Sequence, residues 1–139
     1  DRLPQIYKFD CFGKTYKQAA VKLRNNPSYS EAGQALEQVH KTLAGAVARN
    51  LDPAKKPRRQ GLKFYRAVKP AAVPQIKQQT QQAMQKAETV LLRSAPSKQV
   101  HFSRIAEAVN SNKVLLRSAM LTGRALRLAF QRLKLGRPA

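Results

Sequence analysis

Residues 28–50 read SYSEAGQALEQVHKTLAGAVARN, and their spacing decides the fold class. Ala32, Leu36, Val39, Leu43, Ala46 and Val47 recur with the 3.6-residue period of one helix face. Ser28 followed by Glu31 matches a capping box, in which two side chains satisfy N–H groups left over by the first turn. The pattern predicts a helix over about 30–50. Gly45 weakens it slightly, because glycine loses more backbone freedom than any other residue. His40 sits beside Val39 and reads as a boundary residue of this helix rather than a ligand.

Upstream, residues 15–24, TYKQAAVKLR, place Tyr16, Ala20 and Leu23 on one side of a short helix. Asn25-Asn26-Pro27 stops it, since a residue before proline avoids helical backbone angles. Residues 15–50 are thus expected to form a helical hairpin. In residues 1–14, DRLPQIYKFDCFGK, the positions Tyr7, Phe9 and Cys11 alternate with Lys8 and Asp10. Alternation is the period of a strand, so an extended aromatic arm bounded by Pro4 and Gly13 is expected.

Downstream, residues 51–74 read LDPAKKPRRQGLKFYRAVKPAAVP. Four of the eight prolines lie here, Pro53, Pro57, Pro70 and Pro74. So do seven cations, Lys55, Lys56, Arg58, Arg59, Lys63, Arg66 and Lys69. Proline removes a donor and breaks helices, which predicts an extended, basic, Pro-rich connector. Helical spacing returns at 75–94, where Ile76, Ala83, Ala87, Val90 and Leu91 mark one side. A short helix is expected at 102–109, then a turn at Asn110-Ser111-Asn112. A last, basic helix is expected over 113–135, with a stripe through Leu115, Ala119, Thr122, Leu126, Ala129 and Leu133. The fold class is all-α: a small irregular helical bundle of about three longer and two short helices. It carries the N-terminal arm at 1–14, the connector at 51–74 and a helical region at 75–139.

Charge narrows the function. The chain has 139 residues, with 27 Lys plus Arg against 7 Asp plus Glu, a net charge of +20. Solubility asks for only about 2–8 charges in a small domain. A folded body so charged repels itself, and a bound polyanion relieves the repulsion. One cysteine excludes an internal disulfide framework. No stretch of ~18 apolar residues is present, so the chain is not expected to be transmembrane. The sequence holds no nucleophile elbow, no HExxH and no pair of carboxylates on one helical face. No enzyme activity, cofactor, metal or small-molecule substrate is expected. The start at Asp1 fits either a processed mature form or a trimmed chain; loss of an organellar transit peptide would fit, so the mitochondrial matrix is the expected setting, with another ribosome-containing compartment as the alternative.

Two basic surfaces are the candidate sites. In the first, Lys55, Lys56, Arg58, Arg59, Lys63 and Arg66 are expected to follow a phosphate backbone. Tyr65 is expected to contact a base, since aromatics among cations stack on unpaired bases. Phe64 reads as the apolar anchor of the connector. In the second, Lys113, Arg117, Arg124, Arg127 and Lys134 fall within roughly 100° on a helical wheel. No acid lies on that helix to pair with them. A helical body with an aromatic arm and a Pro-punctuated basic segment resembles, as a class, the proteins built into ribosomes. That resemblance implies segments that thread between rRNA helices and neutralise phosphate. The expected partners are therefore rRNA and neighbouring proteins of a large assembly. A DNA-binding nucleoid protein and an accessory subunit of a mitochondrial membrane energy-converting complex are the alternatives.

Overall fold

The computed structural model of the chain describes residues 3–93 and 99–117. They are mostly helical. Four helices follow in order: α1 (Gln5–Arg24), α2 (Ser30–Arg49), α3 (Val73–Leu92) and α4 (Gln99–Arg117). Two short strands, β1 (Arg58–Gln60) and β2 (Lys63–Tyr65), lie between α2 and α3. Each helix packs on the next. One apolar core joins Phe9, Phe12 and Tyr16 of α1 to Leu36, Val39 and Leu43 of α2, Ile76 and Met84 of α3, and Phe102 and Ile105 of α4.

The N-terminal segment is helical, which corrects the extended arm. Its apolar residues serve two cores at once. Phe9, Phe12, Tyr16, Ala20 and Leu23 face the main core, while Tyr7 and Cys11 join Leu3 in a second cluster. A helix apolar on two sides produces a local alternation that imitates a strand. Pro4 occupies the N-cap, where its missing N–H costs nothing. Gly13 lies inside the helix, and a Cβ there would touch Leu43 Cβ at 3.4 Å. Its carbonyl lies 2.9 Å from His40 Nδ1, so that nitrogen carries the proton and donates. His40 is thus a half-buried boundary residue.

The turn into α2 also differs from the capping-box expectation. The Asn26 side chain accepts from the Ser28 N–H at 3.0 Å, and Pro27–Tyr29 form a 3₁₀ turn. The helix then starts at Ser30 with no side-chain cap bond. Helix α3 begins at Val73 and takes Pro74 into its first turn, as proline permits.

Helix α4 runs through Asn110-Ser111-Asn112, where a turn was expected. Two polar side chains explain the continuation. The Asn112 amide is buried and donates to Tyr16 Oη at 3.3 Å. Burial, helped by the Glu88 charge, pushes the Tyr16 hydroxyl well above its ordinary range and keeps it protonated. Next to it, Lys113 Nζ donates to Gln85 Oε1 at 2.7 Å and pairs with Glu88 at 2.9 Å. These bonds reward the helical continuation and override the turn preference of the Asn-Ser-Asn run. Over 102–117 the expected short helix and the start of the expected last helix are therefore one helix. The expected stripe beyond 117 lies outside the described residues.

Gly33 fixes the α1–α2 crossing. A Cβ there would stand 2.9 Å from both the Ala20 carbonyl oxygen and the Arg24 amide nitrogen. Those are backbone atoms, so only a shift of a whole helix could make room. Gly45 differs, because a Cβ there meets only the end of the Arg49 side chain, at 3.0 Å. Gly33→Ala should therefore destabilise the fold by about 1–3 kcal/mol, the usual effect of overpacking. Gly45→Ala should be neutral or stabilise by up to about 1 kcal/mol. Urea unfolding of both variants beside the parent checks the contrast.

Candidate nucleic-acid interface

The basic connector is not extended throughout. Its middle folds into an antiparallel β-hairpin, with Arg58 opposite Tyr65, Arg59 opposite Phe64 and Gln60 opposite Lys63. Gly61 and Leu62 form the two-residue loop. Gly61 has φ +65°, a left-handed value that tight hairpin loops require and glycine supplies without strain. Prolines flank the strands instead of interrupting them, so the ladder keeps its donors.

A hairpin of three residue pairs is marginal by itself, and α1 holds this one. Asp10 is the centre of the attachment. Its Oδ2 accepts from the Arg66 backbone N–H at 2.8 Å and from Lys14 Nζ at 3.1 Å. Its Oδ1 lies 3.6 Å from the Arg66 guanidinium. Lys14 also donates to the Phe64 carbonyl at 2.9 Å and sits 5.3 Å from the centre of the Tyr65 ring. Further along, Tyr7 Oη donates to the Lys56 carbonyl and the Val68 N–H to the Ile6 carbonyl, both at 2.9 Å.

Strand parity then assigns the two aromatics. Tyr65 points inward and is 4% exposed, in the cluster with Leu3, Tyr7, Cys11 and Ala67. Phe64 points outward and is 57% exposed. Both expectations are reversed: Tyr65 is the anchor and has no face left for a base, and Phe64 is the available ring. The parity follows from where the Gly61-Leu62 loop falls and from the attachment at Asp10, which no local sequence signal contains.

Of the expected cations, Lys55, Lys56, Arg58 and Arg59 are exposed and Lys63 is half-buried. Among the described residues none of these five has a carboxylate within ion-pair reach. Arg59 Nε donates to the Gly61 carbonyl at 2.8 Å, which braces the tip. Arg66 is exposed but shared with Asp10.

The second expected surface is corrected at its first member. Lys113 is 7% exposed and pairs with Glu88 across to α3, so it faces the core and not a ligand. Arg117 ends α4. Arg124, Arg127 and Lys134 lie outside the described residues. Another cationic surface stands between α2 and α3, a groove of about 560 Å³ whose rim includes Lys41, Arg49 and Lys86 with Gln38, Gln79 and Gln82. No acid lines it. These cations are dispersed over two distant segments, so no run in the sequence marks them.

Among the described residues no cluster of three or more His, Cys, Asp or Glu is placed to hold a metal. No helix there is long and apolar enough to cross a membrane. No protein-family model, curated protein or solved structure matches this chain.

Two substitutions check the assignment of Asp10 and Lys113. Asp10→Ala removes the buried acceptor of the Arg66 N–H and of Lys14, and should cost about 1–3 kcal/mol. It should also speed limited trypsin cleavage within 55–66, where the sites are dense. Lys113→Ala leaves the partly buried Glu88 unpaired, which should cost up to about 3–5 kcal/mol, the loss on breaking a fully buried pair. Its melting temperature should fall well below that of Lys56→Ala, an exposed cation whose removal should leave melting nearly unchanged.

Proposed function

We propose that this protein is a structural RNA-binding component of a ribosome, a small helical bundle that holds a basic β-hairpin against rRNA. The observation that carries the proposal is the hairpin itself. Five cations stand within nine residues, 55–63, with no carboxylate in ion-pair reach among the described residues, on a loop tied to the core by a buried aspartate. Phosphate is the chemistry that such a surface fits. Its role is to neutralise and position the RNA, with no reaction of its own.

The remaining cations extend the same logic. Lys41, Arg49 and Lys86 give a second face that a folded RNA can engage while the hairpin holds another segment. The proposed setting is the mitochondrial ribosome. The buried thiol of Cys11 suits a reducing matrix.

Co-sedimentation of the full chain with ribosomal particles tests the proposal. The protein should travel with a ribosomal subunit from mitochondrial lysate and be released by high salt. Tighter binding to duplex DNA than to structured RNA would overturn it in favour of a nucleoid role. Changing Lys55, Lys56, Arg58 and Arg59 together to Gln should flatten the slope of log affinity against log salt by about 2–3 units, at roughly 0.7 per single-strand phosphate. An unchanged slope would assign the four cations to solvent.

A further inference from the structure

We infer that Phe64 is a stacking platform for an unpaired nucleobase, so that the hairpin selects single-stranded or looped RNA over duplex. The inference rests on the RNA-binding reading and names the feature of RNA that the hairpin grips.

The argument starts from the outward face of the hairpin. Phe64 is 57% exposed and directly opposite Arg59, with Leu62 at the tip 92% exposed. A ring left in water forgoes most of the ~2 kcal/mol that burial of a large apolar side chain gives. The neighbouring ring of Tyr65 takes the buried place, so the hairpin does not need Phe64 for its own attachment. Arg59 stands across the ladder from the ring and on its face, at a strand spacing of about 4.8 Å, while Arg58 and Lys63 are one residue away along the strands and by parity leave from the other face. Like charges there also discourage two hairpins from pairing through their exposed apolar tips. The surface is an aromatic ring beside a guanidinium on one face of a cationic hairpin, and a nucleotide supplies the complement of both parts. Its base offers a π-face to the ring and its phosphates meet the cations. Bases inside a duplex are already stacked on one another and present only edges in the grooves. Phe64 has no polar atom to read an edge, so the ring gains little from a duplex.

The other class of partner for an apolar tip among cations is an anionic membrane surface. The register argues against it. Arg59 shares the outward face with Phe64 and would have to follow the ring toward hydrocarbon, where a guanidinium is costly. Beside a nucleotide the same guanidinium meets phosphate.

The experiment uses the full-length protein, a 12-nucleotide single-stranded RNA, an RNA duplex of that length, and phosphatidylserine vesicles. Affinities are measured at two salt concentrations for the parent, Phe64→Ala, Phe64→Trp and the four-cation Gln variant. Melting temperatures of all four should agree within a degree or two, since none of the altered side chains is buried. Phe64→Ala should lose about 5- to 150-fold in affinity for the single strand, the range of one base–aromatic stack. Its salt slope and its duplex affinity should match the parent. Phe64→Trp should retain single-strand affinity. The chain contains no tryptophan, so this variant carries a unique fluorophore whose emission should be quenched by the single strand and not by the duplex.

If Phe64→Ala binds single strand as the parent does while the four-cation variant loses its slope, the stacking inference falls and the RNA-binding reading stands. Equal losses on single strand and duplex overturn the stacking inference in the same way. If neither variant changes RNA binding and Phe64→Ala instead abolishes vesicle binding, the tip is a lipid anchor and both readings fall.

Discussion

A buried carboxylate in a chain of net charge +20 is the constraint on which this structure turns. Asp10 sits on α1 between residues that face the main core and residues that face the second cluster. Its two oxygens take the Arg66 N–H, the Lys14 ammonium and the nearby Arg66 guanidinium. Burying a carboxylate is costly unless its lone pairs are met, and here a backbone donor and two cations meet them. The result joins the apolar body to a hairpin that has little apolar content of its own. Tyr65 and Ala67 can close a second core over α1 because Asp10 fixes the height at which the hairpin lands.

The other carboxylates in the described residues with charge partners also sit at joints. Glu37 accepts from Arg24 across α1 and α2 at 2.8 Å, and Glu88 pairs with Lys113 across α3 and α4. Asp52 caps its own turn, accepting from the Ala54 N–H at 3.0 Å. Exposed ion pairs contribute little to stability, so their number matters less than their placement. Scarce acids hold elements together, and among the described residues Lys55, Lys56, Arg58, Arg59 and Lys63 of the hairpin and the cations of the α2–α3 groove have no carboxylate within ion-pair reach. Self-repulsion therefore remains in the free protein, to be relieved from outside.

How much of this could be seen in the sequence depends on whether one face or two faces of an element are used. Helices α2 and α3 bury one face each; the α2 stripe is plain, whereas at α3 the expected stripe includes Val90, which is 51% exposed, and omits Thr80 and Met84, which are buried. Helix α1 buries two, and Tyr7, Phe9 and Cys11 then alternate as a strand would. The Asn-Ser-Asn run in α4 carries a correct local signal for a turn, overridden by the buried bonds of Asn112 and Lys113. The hairpin's cations are legible as a cluster because five of them fall within nine residues, 55–63. Which of Phe64 and Tyr65 faces inward is not legible, because parity is set by a loop position and a contact 56 residues away in sequence, from Asp10 to Arg66. The groove cations are illegible for a similar reason, since two helices must meet before they become neighbours.

A folded hairpin differs from a disordered basic run of the same composition in what binding costs. A flexible segment must be ordered as it binds, and that entropy is subtracted from its phosphate contacts. Here the loop tip is braced by Arg59 on Gly61, and the strand ends are fixed by Asp10, Tyr7 and the Ile6 carbonyl. Most of the backbone ordering is complete before any ligand arrives. The long cationic side chains still have to settle, but each does so from a fixed origin. That arrangement favours a surface that imposes a shape on its partner, which is what the proposed role within an RNA assembly asks for. A charge reservoir alone would need no buried aspartate, no second core and no glycine at the one position whose φ demands it.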